Sequence, residues 1–249
     1  MSKNPRIVAS VEARMASSRL PGKMLADLGG ITTVELIVAR ARAAACVDDV
    51  VVATTNNPGD DELAAAAEAI GVKVFRGSED DVLDRVTGAH RMMVTDIVVK
   101  LCGDCPLIDP AIIIRAVDRF RQNDCDIVTT TKPQSYPQGM DVEVFEFATL
   151  ANIAATNLDP AVREHVTLAY YDEPDRWRIA NLEAPDDLAM PDQRLQLDYE
   201  EDLAVLRAVH AALAPTLGDS YTLADIVEFL CAHKEVCAIN RNCEEREAR

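Results

Sequence analysis

The most constraining feature of this sequence is an alternation over its first 130 residues. Short β-branched runs alternate with longer stretches of helical period. Ile7–Val11, Val50–Thr55, Val72–Phe75, Asp96–Leu101 and Ile127–Thr131 read as strands, most of them apolar enough to be buried on both faces. Between them, Thr33–Ala45, Asp60–Ile70, a stretch from Ser78 to about Val94, and a segment opened by Asp109-Pro110 and reaching Gln122 read as helices. The punctuation agrees. Thr32 with Glu35 makes a capping box, Gly71 stands where a helix stops, and Pro110 sits in a first turn. Strand–helix alternation of this kind predicts an α/β fold with a mostly parallel central sheet and helices on both faces. Ligands of such sheets bind beyond the carboxyl ends of the strands.

After Thr131 the rhythm changes. Val142–Phe147 alternates like a strand, Asp159-Pro160 opens a helix expected to run through Tyr170, and Arg178–Leu182 and Arg194–Leu197 read as short strands. Tyr199–Ala214 and Thr222–Ala232 read as closing helices. With no internal repeat and no linker, one domain over 1–249 is expected, with 132–196 as a small arm or subregion.

The net charge of -17 repels nucleic acid and anionic membranes, so neither is an expected partner. The longest apolar runs are far too short to cross a bilayer, and the first residues lack a secretory h-region, so a cytoplasmic location is expected. Seven scattered cysteines then read as reduced thiols. Cys102-Gly-Asp-Cys105 has C-x-x-C spacing, but it does not follow a first strand as a redox motif should. Cys231, Cys237 and Cys243 lack the spacing of a zinc site.

Against this acidic background, Ala13-Arg-Met-Ala-Ser-Ser-Arg-Leu-Pro-Gly-Lys23 follows the first strand with Arg14, Arg19 and Lys23 among small residues. Small residues let backbone amides approach phosphate oxygens, and the cations neutralise them. Neither the Walker pattern nor G-x-G-x-x-G is present. Asp104, in a Gly/Pro turn after an apolar strand, suits a magnesium ligand or a simple turn cap equally well. Asp198 ends a strand and starts a helix, where it reads as an N-cap with Glu201, a role compatible with metal binding. Polar residues from Ser135 to Val144 and from Arg163 to Thr167 interrupt apolar structure where an acceptor pocket is expected. The candidates there are Tyr136, Gly139, Asp141 and Glu143, with Arg163 for an acceptor carboxylate, and His165, which by itself is as well read as a packed histidine.

These segments carry a resemblance. A-R-M-x-S-S-R-L-P-G-K, V-V-V-A-T-T-N-N-P at 50–58, V-F-R-G-S-E-D-D-V-L-D-R at 74–85, G-D-C-P-L-I-D-P at 103–110, G-M-D-V-E-V-F at 139–145, R-E-H-V-T at 163–167 and L-D-Y-E-E-D-L at 197–203 resemble the cytidylyltransferases that activate acidic keto-sugars. The spore-coat polysaccharide protein F branch is the nearer likeness. The resemblance implies a Rossmann-like nucleotidyltransferase fold and a homodimer using CTP, magnesium and a small acidic sugar. It places Ala13, Arg14, Ser18, Arg19 and Lys23 in the loop that holds base and triphosphate, and Arg85 near the nucleotide. Asp104 and Asp198 become the paired metal aspartates, acting with Arg19 and Lys23 in catalysis. Cys102 falls near the base, where relatives often carry Gln or Thr, and Tyr199 replaces the Thr of the usual D-T-P-E-D. Relatives using another nucleotide or a phosphonate acceptor, or retaining the fold as a non-catalytic nucleotide-binding protein, are the alternatives.

Overall fold

A computed structural model describes residues 4–244. The first half runs β1 (Ile7–Glu12), α1 (Thr33–Ala43), β2 (Asp49–Thr55), α2 (Asp61–Ala69), β3 (Lys73–Gly77), α3 (Val82–Met93), β4 (Ile97–Cys102), α4 (Pro110–Phe120) and β5 (Ile127–Thr129). It continues with β6 (Glu143–Glu146), α5 (Phe147–Thr156), α6 (Pro160–Glu164), α7 (Leu168–Asp172) and β7 (Ile179–Asn181). It closes with α8 (Glu200–Leu217), α9 (Leu223–Ala232) and α10 (Lys234–Ile239).

The strands form one sheet in the order β3-β2-β1-β4-β6-β5-β7. β1 to β4 pair in parallel, β6 runs antiparallel between β4 and β5, and β7 pairs in parallel with β5. Alternate side chains divide the sheet between two cores. Ala9, Val11, Val50, Val52, Val99 and Leu101 face one core, which α1, α4 and α8 cover. Val8, Val51, Ala53 and Val98 face the other, covered by α3, α5, α6 and α7. Burying one such Val stabilises the fold by about 1.5–3 kcal/mol, which is why these strands read as continuous apolar runs.

Arg40 of α1 ties the closing helices to the body. It is fully buried, and its guanidinium donates to the carbonyls of Ile108 at 2.7 Å, Asp219 at 2.8 Å and Tyr221 at 2.9 Å.

Several boundaries differ from expectation. The cap of α3 is Asp81, whose side chain accepts from the Asp84 amide; Ser78 lies in the turn before it. The helix expected from Asp159 through Tyr170 is two short helices with a break over His165–Thr167, from which the Thr167 hydroxyl donates to Glu143 of β6 at 2.9 Å. Arg194–Leu197 is not a strand. Arg194 makes only an isolated bridge to Gln138, because this segment packs against the Gly139 turn. Gly139 has φ +94°, and a Cβ there would lie 2.6 Å from the Leu195 backbone, so only glycine permits the approach. Residues 132–196, expected as an arm, contribute β6 and β7 to the same sheet.

Candidate active site

The chain reverses direction across the sheet at β1. β2 lies on one side of it, and β4, reached by way of α3, lies on the other. The crevice beyond the carboxyl ends of β1 and β4 is where such a fold binds ligands. Here Glu12 and Cys102 are register partners, and the Gly103 amide donates to the Glu12 carbonyl at 2.9 Å. A Cβ on Gly103 would lie 2.7 Å from that carbonyl oxygen, so glycine is what lets the turn carrying Asp104 close onto β1.

The loop after β1 curls around this crevice. The Met15 amide donates to Asp60 at 2.6 Å and the Gly22 amide to the Met15 carbonyl at 3.0 Å. Arg14, Ser18, Arg19 and Lys23 thereby line one chamber of about 300 Å³, together with Ala13, Arg85, Cys102, Asp104 and Asp198. Every residue assigned above to nucleotide or metal is in this set. At its floor the Lys23 ammonium sits 2.9 Å from Asp198 Oδ1, 3.3 Å from Asp104 Oδ2 and 2.9 Å from the Leu197 carbonyl. Arg19 Nη2 reaches the same Asp198 oxygen at 2.8 Å. Burial alone would lower the Lys23 ammonium, but the charges of Asp104 and Asp198 outweigh it and raise it. Burial likewise would raise Asp104, and Lys23 with the Gln196 amide lowers it instead.

Asp198 does not cap α8. Asp202 reaches back to the amides of Asp198 at 2.9 Å and Tyr199 at 3.0 Å, leaving the Asp198 carboxylate to the cations. Its second oxygen is held by Arg194 at 2.8 Å, and Arg194 in turn is clamped by Asp202 at 3.0 Å.

A second chamber, of about 270 Å³, adjoins the first. Glu12, Cys102, Glu164 and His165 line both. Asp141 and Glu143 line the second, with Lys100, Lys132, Thr167 and Tyr171. Glu143 is fully engaged: it accepts from Tyr171 at 2.5 Å and Thr167 at 2.9 Å, and pairs with Lys100 at 3.0 Å. Burial opposes the charge on both partners, yet Glu143 is held below the usual carboxylate range and Lys100 well above the usual amine range. Burial pushes the Glu12 carboxyl up, only partly offset by Lys100.

Three expected acceptor residues are elsewhere. Tyr136 is buried in the core, with its hydroxyl on Arg115 at 2.6 Å. Gly139 serves the turn described above. Arg163 donates to Asp81 at 3.0 Å and to the Ala154 carbonyl at 2.6 Å, joining the start of α3 to α5. Sequence reading passed over Glu12, Lys100, Lys132 and Arg194. For Lys100 a signal was present, since a lysine inside Val98-Val-Lys-Leu101 must find a buried partner. All seven cysteines are free; Cys102 and Cys105 lie beside Asp104, and burial pushes both thiols up, away from redox reactivity.

An α/β sheet with a basic loop, paired aspartates and two adjoining chambers at its switch point fits a nucleotide-binding transferase. Comparison with known proteins agrees. The family profile described as cytidylyltransferase matches residues 8–209. The spore coat polysaccharide biosynthesis protein SpsF of Bacillus subtilis is 33% identical over 82% of this chain and 86% of its own length. A 3-deoxy-manno-octulosonate cytidylyltransferase of Anaeromyxobacter is 40% identical over about half of each chain, 51% and 52%. The solved structure of a cytidylyltransferase from Leptospira borgpetersenii superposes with a TM-score of 0.85 at 28% identity, covering 97% of this chain and 98% of that one. The chain belongs to the cytidylyltransferase family and is a nucleotidyltransferase. Among the described residues, no helix is long and apolar enough to cross a membrane.

Proposed function

We propose that this enzyme activates a small acidic sugar of the ulosonic type with CTP. A sugar hydroxyl oxygen forms a bond to the α-phosphorus, the bond to the β-phosphate oxygen breaks, pyrophosphate leaves, and the hydroxyl proton passes to solvent. The observation that carries this reading is the Lys23 ammonium lying between Asp104 and Asp198 in the first chamber, which shares Glu12, Cys102, Glu164 and His165 with the second. Two carboxylates that already share a cation, under a loop with three basic residues, suit a triphosphate bound with its counter-ion.

Among the described residues, no group of three or more His, Cys, Asp and Glu converges as a metal site. Magnesium needs no such group, since it binds through one or two carboxylates with water and substrate phosphates completing its shell. The hard oxygens of Asp104 and Asp198 fit it, with Lys23 holding their shared position. Bound there, the ion supplies charge stabilisation for the phosphate oxygens. The chain's own contribution is positional and electrostatic. Arg19 and Lys23 exchange their aspartate contacts for phosphate oxygens, and Lys23 meets charge as it grows on the leaving group. Ala13 and Arg14 take the nucleoside side, with Ser18, Arg85 and Cys102 around it. In the second chamber Lys132 and His165 are set to meet the sugar carboxylate, the role first expected of Arg163. The homodimer, through strands within about 176–196, is part of the same proposal, and a monomer in sedimentation would remove it.

The deciding experiment is pyrophosphate release with CTP, UTP, GTP and ATP, each against a panel of keto-acid sugars beginning with 3-deoxy-manno-octulosonate, with and without magnesium. Release confined to CTP with a keto-acid sugar supports the reading. Equal use of another nucleotide, or of neutral sugars only, rejects it.

A further inference from the structure

The carboxylates of the second chamber are unequal. Glu143 spends both oxygens on Tyr171, Thr167 and Lys100. Glu12 does not. Its Oε1 is buried and has no hydrogen-bond partner among the described residues. The nearest cation, Lys100 Nζ, lies 3.8 Å away, inside ion-pair range but beyond a hydrogen bond. A buried carboxylate oxygen without a donor is costly, and in a ligand crevice a bound ligand is one source of the missing donor.

The position of Glu12 fits such a ligand. It ends β1 opposite Cys102 and lines both chambers, so it stands where the nucleotide's phosphates and the acceptor meet. Lys100 on β4, held by Glu143 of β6, fixes its far side. A phosphate or a carboxylate would be repelled by this oxygen; a hydroxyl would satisfy it.

Building on the functional reading above, we infer that Glu12 is a specificity-determining residue that accepts a hydrogen bond from a hydroxyl of the acceptor sugar. The acceptor therefore turns a hydroxyl to the floor of the crevice and keeps its carboxylate toward Lys132 and His165. An acceptor without a hydroxyl at that place leaves Oε1 unsatisfied and is discriminated against.

The test compares Glu12→Gln and Glu12→Leu with wild type, using the panel sugar that wild type turns over, 3-deoxy-manno-octulosonate first. CTP affinity is followed by calorimetry. Glu12→Leu should raise the acceptor KM by about tenfold or more, the range for a lost hydrogen bond to a buried group, with CTP affinity within twofold of wild type. Glu12→Gln, whose amide oxygen still accepts, should stay within about threefold of the wild-type acceptor KM. An unchanged acceptor KM in Glu12→Leu would overturn the inference. So would a loss of CTP affinity matching the rise in acceptor KM, since that is the mark of a structural role. So would Glu12→Gln as impaired as Glu12→Leu, because the lost feature would then be charge. Failure of wild type to release pyrophosphate with any acceptor would defeat the functional reading, and this inference with it.

Discussion

The Lys23 ammonium and the Asp198 carboxylate are 2.9 Å apart, and the same carboxylate is held by Arg19 and Arg194, each at 2.8 Å. Three cations on one buried anion make Asp198 a structural hub as well as a metal-ligand candidate. Asp104 pairs with one cation among the described residues, Lys23, accepts from the Gln196 amide at 3.3 Å, and is more open to solvent.

The two aspartates should therefore separate under substitution. Asp104→Asn and Asp198→Asn should each lower kcat by about a hundredfold, the scale of losing one charge contact at a phosphoryl centre. Asp198→Asn should also destabilise the fold by about 3 kcal/mol, because it leaves buried guanidinium and ammonium groups facing a neutral amide. Asp104→Asn should change stability much less. Pyrophosphate release and thermal unfolding read the two effects independently. Near-normal turnover in either variant would remove that residue from the site.

Lys23→Ala should weaken CTP use and slow turnover together, by about a hundredfold in kcat, because it deletes charge where the leaving group develops it. Steady-state kinetics with each substrate varied in turn provide the check. An effect confined to the acceptor KM would put the basic loop against the wrong substrate.

Much of this site was legible because its chemistry is local in sequence. Arg14, Ser18, Arg19 and Lys23 share one loop, so the strand before it fixes where they point. Asp104 follows a strand whose apolar run is unmistakable. The capping box at Thr32 was read correctly for the same reason: it is decided within four residues. What failed depended on distant partners. Asp198 looked like a cap until Asp202 took that place, and Arg163 looked available until Asp81, 82 residues away, engaged it. Glu12 was passed over because a carboxylate at a strand end is unremarkable until its neighbours prove unable to satisfy it.

Arg163 makes the clearest test of that distinction. Its guanidinium links Asp81 of the α3 cap to the Ala154 carbonyl of α5. Arg163→Ala should cost about 2 kcal/mol of stability, the value of charge-assisted hydrogen bonds that are only partly screened. The acceptor KM should stay within twofold of wild type. A tenfold rise in acceptor KM with unchanged unfolding temperature would return Arg163 to the acceptor site.

A residue outside the site should make the fold sensitive to acid. His90 of α3 is fully buried. Its Nδ1 meets Thr95 Oγ1 at 3.1 Å, while Nε2 has no hydrogen-bond partner among the described residues. Burial depresses its pKa from 6.5 to about 3, since an imidazolium there would have no compensating anion. Above 6.5 the ring is neutral in both states and costs nothing. Below 6.5 the unfolded chain binds a proton that the folded chain refuses, so stability falls as pH falls, until the folded ring also protonates near 3. The slope is about 1.4 kcal/mol per pH unit, or about 2 kcal/mol lost by pH 5. His90→Leu abolishes this titration and leaves the Thr95 hydroxyl without its partner, a penalty that does not vary with pH. Denaturant unfolding at pH 7, 6 and 5 should thus show the wild-type advantage over His90→Leu shrinking by about 2 kcal/mol across that range. Parallel curves for the two proteins would show that His90 accepts a proton in the folded state as readily as in the unfolded one, and its burial would then carry no acid sensitivity.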